Sequence, residues 1–158
     1  MALHLLFETS HLAIWHDCQN QWLYVEWKGE HSLKTIQVVC QDALALVPLA
    51  NYTKILNDST QTTGNWEEAS SWLGKNLFPQ LVTVGVTYMA WVYATDFRGR
   101  FAIDSTLRCD TSLTIATFDD LDAACAWLQQ ADKAPSAAGG LHSKSVLIEK
   151  DTRVSGWL

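Results

Sequence analysis

The sequence predicts an α/β fold, a five-stranded mixed sheet with helices packed against it. Two alternating segments, residues 12–18 and 22–29, are separated only by residues 19–21, so they should form an antiparallel hairpin. Strand-like and helix-like segments then alternate, which is typical of parallel strands joined by helical crossovers. With 158 residues the chain is long enough for one domain with a substantial core.

A helix and a third strand should follow the hairpin. Ser32 can cap the helix, and Pro48 lies at or just beyond its end. Apolar residues between them recur at spacings of three and four, as on the buried face of a helix: Ile36, Val39, Cys40, Ala43, Leu44 and Val47. Residues 52–57 form the predicted third strand, which we expect to stop at Asn57-Asp58.

The later elements are predicted in the same way. Asn65 and Glu68 resemble a capping pair for a second helix, which Pro79 should either kink or end. Residues 87–94 are almost continuously apolar, which favours a central strand covered on both faces, or one covered on one face and packed at a dimer contact. Residues 96–104 are a loop or a short helix. Residues 113–118 are the fifth strand, and Thr117 and Asp120 frame the start of a last helix.

One domain should span residues 1–130, with a linker and tail at 131–158. Residues 131–140 are rich in alanine, glycine and polar residues, as in linkers. Residues 144–150 could be a short extra strand, or part of a tail that docks on the domain or on a partner.

The composition argues against several classes of partner. The net charge of −6 disfavours nucleic-acid backbones and anionic lipid surfaces, and no segment approaches a membrane-spanning length.

The four cysteines form no CxxC pair and are typical of free thiols in a reducing compartment. The N-terminus has no basic region followed by a long apolar run. We therefore expect a cytoplasmic protein.

Tryptophan is unusually frequent, with eight residues in the chain. Most of them fall at periodic positions of predicted strands and helices, so core packing is the first explanation. The alternative is an aromatic cage around a ligand.

The segment from Tyr52 to Trp66 is the best candidate for a site. It should be a strand, then a hydroxyl-rich loop, and then a helix. Open α/β sheets bind ligands at the carboxyl ends of their strands, beside helix N-termini. The candidate residues of this loop, as a contact surface or a phosphorylation switch, are Asp58, Ser59, Thr60, Thr62, Thr63 and Gly64. Alternatively, the hydroxyls only cap the helix.

No complete catalytic or metal-binding motif is present. Asp58 could be a base or a metal ligand, but a lone carboxylate is also typical of a turn. Four histidines lie in the first 31 residues without metal-ligand spacing. Arg98 and Arg100 are candidate contacts for an anion, or they are solvated or paired with Asp96 and Asp104. We expect a protein that is not an enzyme and has no catalytic residues, metal or cofactor.

The predicted order of elements, with several local motifs, resembles the STAS domains, best known as bacterial anti-sigma-factor antagonists, and more narrowly the STAS-like bacterial proteins similar to CRAL-TRIO lipid-transfer domains. The resemblance covers about residues 10–130. It is carried by Ile55-Leu-Asn-Asp58, Thr63-Gly64-Asn65-Trp66, Phe78-Pro79, Ala90-Trp-Val-Tyr93, Phe118-Asp-Asp-Leu and Ala126-Trp-Leu128. Fold alone does not establish function.

The resemblance implies a regulatory module that acts through protein–protein contact. In the antagonist family a serine or threonine in an Asp-Ser-Ser-Gly-like turn is phosphorylated by a partner kinase. Here Gln61-Thr62-Thr63-Gly64 supplies two hydroxyls and the glycine, while Asp58-Ser59-Thr60 supplies the acid and two hydroxyls. We expect a module of this kind that acts as a homodimer or as the regulatory partner of another protein. The alternative is a module that binds a small molecule or lipid in an apolar pocket under the helices.

Overall fold

The computed structural model describes residues 1–133. Their strands form one six-stranded mixed sheet in which neighbouring strands follow each other in the sequence. The strands are β1 (Leu3–Glu8), β2 (Leu12–Asp17), β3 (Trp22–Glu30), β4 (Lys54–Thr63), β5 (Tyr88–Val92) and β6 (Thr114–Phe118). The helices are α1 (Leu33–Leu46), α2 (the continuous helical segments Ser70–Trp72, Leu73–Leu77 and Phe78–Thr83), α3 (Phe97–Thr106) and α4 (Leu121–Gln130). The pairs β1–β2 and β2–β3 are antiparallel hairpins. The pairs β3–β4, β4–β5 and β5–β6 are parallel. The predicted α/β class and hairpin are confirmed.

The predicted strand count of five is wrong, because β1 adds a sixth strand at the edge of the sheet. It pairs with β2 in a second hairpin, with Leu3 opposite Asp17 and Glu8 opposite Ala13. Leu3 and Leu5 are both exposed. A strand that covers little apolar surface carries no clear alternation, which explains why the sequence did not reveal it.

β4 is longer than predicted and includes the expected hydroxyl-rich loop. It does not stop at Asn57-Asp58 but runs to Thr63. β5 pairs only with residues 54–58 of β4, whereas β3 pairs along β4 as far as Thr63. Pairing with β3 satisfies the backbone of this polar segment and makes it a strand. The prediction of a loop between residues 58 and 64 is therefore wrong.

Side-chain caps begin α1, α3 and α4, although Thr117, which was predicted to frame the last helix start with Asp120, lies in β6. The side chains of Ser32 and Asp120 accept hydrogen bonds from the N–H groups of Thr35 and Ala123, at 3.2 and 2.8 Å. Asp96 accepts from the N–H of Gly99 at 3.0 Å in the same way, so the ambiguous segment 96–104 is helical.

Pro79 acts inside a continuous helical segment. The turn before it, Leu73–Leu77, is π-helical, and the α-helix resumes with Pro79 in its first turn. Proline lacks the N–H that a regular α-helix needs, and a π turn is one way to accommodate that loss. The helix therefore continues through Pro79 instead of ending before it.

Helices cover both faces of the sheet. The larger core joins α1, α2 and α3 to one face, and α4 packs on the other face in a smaller core. β5 lies between these cores, with Met89 and Trp91 in the larger one and Ala90 and Val92 in the smaller one. All four are at most 3% exposed, so the apolar run is a central strand covered on both faces.

The described chain continues slightly past the predicted boundary at residue 130. Ala131–Lys133 form a short 3-10 turn, and Asp132 makes an ion pair with Lys54. The predicted tail strand at 144–150 lies outside the described residues. Within residues 1–133, no helix is both long enough and apolar enough to cross a membrane.

Candidate functional site: an apolar cavity beneath the helices

A cavity of about 80 Å³ lies on the face of the sheet that α1 and α2 cover. Its walls come from strands β2 to β5, from α1 and α2, and from the segments that join them. Its aromatic and polar lining side chains are Trp27, His31, Asn57, Ser59, Thr62, Trp66, Phe78 and Trp91. The remainder are aliphatic or sulfur-containing, and no described residue in the lining is charged.

Strand alternation selects the residues of the cavity floor. Successive side chains of a strand point to opposite faces, so every second residue of β3 to β5 faces α1 and α2. The floor residues are accordingly Leu23, Val25 and Trp27 of β3, Ile55, Asn57 and Ser59 of β4, and Met89 and Trp91 of β5.

A register shift places two hydroxyl groups at the same wall. Glu26 pairs with Asp58 and Lys28 with Gln61, so Ser59 and Thr60 together lie opposite Trp27. This extra residue changes the alternation of β4. As a result, Ser59 and Thr62 both line the cavity although they are three residues apart.

Two lining tryptophans use their N–H groups to hold this wall. Trp27 Nε1 donates to Asn57 Oδ1 at 2.9 Å, and Trp91 Nε1 donates to Ser59 Oγ at 2.9 Å. Thr62 Oγ1 donates to the backbone oxygen of Ser59 at 2.7 Å. These bonds fix the polar side of the cavity from within the protein.

His31 and Trp66 have polar atoms without such partners. His31 is 6% exposed and Trp66 is 4% exposed. The ring nitrogens of His31 and the indole nitrogen of Trp66 are buried and make no hydrogen bond of good geometry within the described residues, although the His31 ring interacts with the backbone of Lys28. Buried polar atoms without a partner cost free energy, and such exceptions need an explanation.

The surroundings of His31 favour its neutral form. Burial and, to a lesser extent, the nearby His11 lower its pKa to about 4, against a smaller opposite effect of a hydrogen-bonding interaction with the backbone of Lys28. The rings of His11 and Trp27 lie 5.5 and 5.3 Å from the His31 ring, between centroids. At neutral pH, His31 therefore offers one N–H donor and one bare nitrogen acceptor.

Asp58 lies away from the cavity. Its carboxylate accepts hydrogen bonds from the Tyr24 hydroxyl and the Thr60 N–H, both at 2.8 Å. Tyr24 belongs to the smaller core on the α4 face. Burial and the bond to Asp58 raise the pKa of the Tyr24 hydroxyl. Asp58 therefore has a structural partner, and it occupies a strand rather than a turn.

The other residues of the predicted loop are divided between the interior and the surface. Ser59 and Thr62 are 1% and 2% exposed, whereas Thr60 is half-buried and Thr63 is exposed. Gly64 follows the strand with a φ of +78°, a conformation that favours glycine. Asn65 accepts from the N–H of Glu67 at 3.0 Å, so it caps the next turn without the predicted reciprocal partner at Glu68.

Arg98 and Arg100 are not brought together at a site. Arg100 makes an ion pair with Asp119 at 2.9 Å, and its guanidinium lies 4.2 Å from the ring centre of Tyr93. Arg98 is exposed and makes no hydrogen bond or ion pair with any residue from 1 to 133. The partners predicted for these arginines have other roles, since Asp96 caps α3 and Asp104 accepts from the Tyr93 hydroxyl.

The histidines and cysteines of the described residues form no recognisable metal site. In residues 1–133, no group of three or more histidine, cysteine, aspartate or glutamate side chains could hold a metal ion. All four cysteines are free. Burial raises the pKa of the Cys40 thiol to about 12, so this lining residue is also uncharged at neutral pH.

The sequence predicted some residues that line this cavity, but it did not predict the cavity. Ser59 and Thr62 were candidates for a different reason, and an aromatic cage was an alternative reading of the tryptophans. His31 was one of several N-terminal histidines without a motif. Its position between a strand and the N-cap Ser32 was the available signal, because such a residue lies at the sheet edge beside a helix start.

Comparisons with known proteins assign no family to this chain. Comparison of the chain with protein-family models, with curated proteins and with solved structures gives no match. The inferences about function therefore rest on the geometry of the cavity.

Proposed function

We propose that this domain binds a small, largely apolar molecule in the cavity between the sheet and helices α1 and α2. The observation that carries the proposal is the cavity itself. Protein interiors are normally close-packed, whereas binding sites for small molecules are concave and mostly apolar. An apolar cavity of about 80 Å³ between a sheet and its helices has the character of such a site.

The size of the cavity bounds the ligand. An apolar protein cavity of about 150 Å³ is known to take up benzene. The volume here, about 80 Å³, suits a smaller group or one ring that displaces side chains at the rim. Leu44 of α1 and Leu77 of α2 are lining residues that are only half-buried. They are the side chains best placed to move.

Uptake of xenon and toluene tests this function. Xenon reports an accessible apolar void of small size, and toluene reports space for one ring. We expect both to shift the NMR signals of lining residues such as Met89 and Leu81, with saturation. A protein in which neither probe perturbs these signals would contradict the proposal.

A matched pair of variants on α1 controls the experiment. Ala43 lines the cavity, whereas Ala45 on the same helix is exposed. Ala43→Leu should fill the void and abolish binding of both probes. Ala45→Leu adds the same atoms at the surface and should leave binding unchanged.

Contact with a second copy of the chain is a second candidate function. The apolar sequence of β5 does not support such a contact, because its side chains are buried in the two cores. The observation that favours contact is on α3, where Phe97 is 80% exposed and Phe101, one turn later, is 38% exposed. Light scattering should show a dimer that Phe97→Ser disrupts. A monomer at high concentration would contradict this candidate.

Kinship with the STAS-like proteins, regulation by phosphorylation and cytoplasmic residence are further proposals. The order of hairpin strands followed by strand–helix units supports the kinship. Among the hydroxyls named above, Thr63 is the most suitable for a kinase because it is exposed and directly precedes Gly64. Phosphoproteomics of the native cell tests this, and modification should occur at Thr63 and not at the buried Ser59.

A further inference from the structure

The unpaired polar atoms in the cavity wall identify the chemical class of the ligand, an inference that rests on the proposed function. His31 and Trp66 are each more than nine-tenths buried, and both line the cavity. Trp66 has an indole N–H without a partner in the described chain, and His31 has two ring nitrogens whose one interaction there is with the backbone of Lys28, without good hydrogen-bond geometry. The neighbouring Trp27 and Trp91 have the same indole donor, but theirs is already used.

The lining also excludes charged ligands. Among residues 1–133, no lysine or arginine lines the cavity, so a carboxylate or phosphate would lose its hydration without gaining a counterion there. No aspartate or glutamate of the described chain lines it either, so an ammonium group would also lose its hydration without a counterion. The polar atoms that are available belong to uncharged groups.

We propose that the ligand is an uncharged, apolar molecule with a single hydroxyl or carbonyl group, which His31 and Trp66 bind by hydrogen bonds. The indole N–H of Trp66 can donate to the oxygen of either group. A hydroxyl can also donate to the bare nitrogen of His31, and a carbonyl can accept from its N–H. The apolar remainder of the molecule would occupy the space beneath α1 and α2.

Phenol and toluene form a matched pair that tests the hydrogen bond, because they differ by a hydroxyl in place of a methyl group. We expect phenol to bind about tenfold more tightly than toluene, the ratio that one net hydrogen bond supplies. Benzoate has the same ring with a charged group, and it should bind at least tenfold more weakly than phenol. Affinities can be measured by NMR titration of the wild-type protein.

Two variants assign the effect to the named residues. His31→Phe and Trp66→Phe each remove hydrogen-bonding atoms and keep an aromatic ring, and each should reduce the phenol-to-toluene ratio towards one. Trp22→Phe is the matched control, since Trp22 is also buried with an unpaired indole nitrogen but lies on the α4 face. A purely structural effect of the variants would change both affinities and leave their ratio intact.

The outcomes separate this inference from the proposed function. If toluene binds as tightly as phenol, or benzoate binds as tightly as phenol, the cavity is a binding site but this ligand class is wrong. If the ratio survives in both His31→Phe and Trp66→Phe, these residues are not the anchors. If xenon, toluene and phenol all fail to bind, the proposed function itself fails.

Discussion

The indole N–H of Trp91 donates to the hydroxyl of Ser59 at 2.9 Å, and both residues are at most 3% exposed. This bond joins the central strand β5 to the part of β4 that runs beyond it. It also holds the Ser59 side chain at the cavity wall. A buried donor with one acceptor is sensitive to loss of that acceptor.

Ser59→Ala should therefore destabilise the domain. Trp91 would keep its buried N–H without an acceptor, which costs about 1–3 kcal/mol in the free energy of unfolding. Urea denaturation measures this loss. Thr60→Ala, at the neighbouring half-buried position, should change the free energy of unfolding by less than about 0.5 kcal/mol. In a Trp91→Phe background the cost of Ser59→Ala should shrink, because the orphaned donor is gone.

The bond between Tyr24 and Asp58 gives a second prediction. Tyr24→Phe removes one of the two donors to a carboxylate that is 4% exposed. The expected loss is about 1.5–3 kcal/mol in the free energy of unfolding, as for other hydrogen bonds to charged groups. Tyr88→Phe is the control, because the Tyr88 hydroxyl has no hydrogen bond within the described residues. Equal stability of the two variants would contradict a structural role for Asp58.

His31 should make stability depend on pH in the acidic range. Its pKa is about 4 in the folded protein, against an ordinary value of 6.5. As pH falls below 6.5, the unfolded chain binds a proton that folded His31 still rejects, so the free energy of unfolding decreases. The loss should be on the order of 2 kcal/mol between pH 7 and 4, after allowance for partial screening by solvent.

The variant His31→Phe should flatten this part of the pH profile, measured by urea denaturation at several pH values. His11, the titratable ring in contact with His31, is retained in the variant. His4→Phe, at an exposed position, should leave the slope unchanged. An identical slope in His31→Phe and wild type would show that His31 is not the group responsible.

Gly74 gives a prediction about the π-helical turn of α2. A Cβ atom at this position would overlap the side chain of Cys109. Gly74→Ala should therefore lower the free energy of unfolding by about 1–3 kcal/mol, although alanine is the better helix former. Thermal unfolding measures the change. Ser71→Ala, at an exposed position of the same helix, should stay within about 0.5 kcal/mol of wild type.

Features with a local cause were the ones that sequence reasoning could predict. Ser32 and Asp120 act as helix caps through N–H groups three residues away, and the first hairpin follows from the short turn between its strands. The buried stripe of α1 follows from spacing along one helix. Each of these depends on neighbours in the chain, which the sequence displays directly.

Features with a distant cause were missed. β4 extends through a polar segment because residues 28–30, some thirty positions earlier, pair with it. The cavity is assembled from residues as far apart as Leu12 and Trp91. Neither its existence nor the unpaired state of His31 can be derived from spacing, since a void depends on how whole side chains fit together.

The register shift in β4 also determines how this strand can vary in length. Ser59 and Thr60 lie opposite the same residue of β3. Thr60 is therefore the extra residue in the inward and outward alternation of side chains along β4. Removing it would leave Ser59 and Thr62 two residues apart and still facing the same way. Removing any one residue between Ile55 and Asn57 would instead exchange the inner and outer faces of one part of the strand. Among natural variants of this chain, a one-residue deletion in β4 should therefore fall at Thr60.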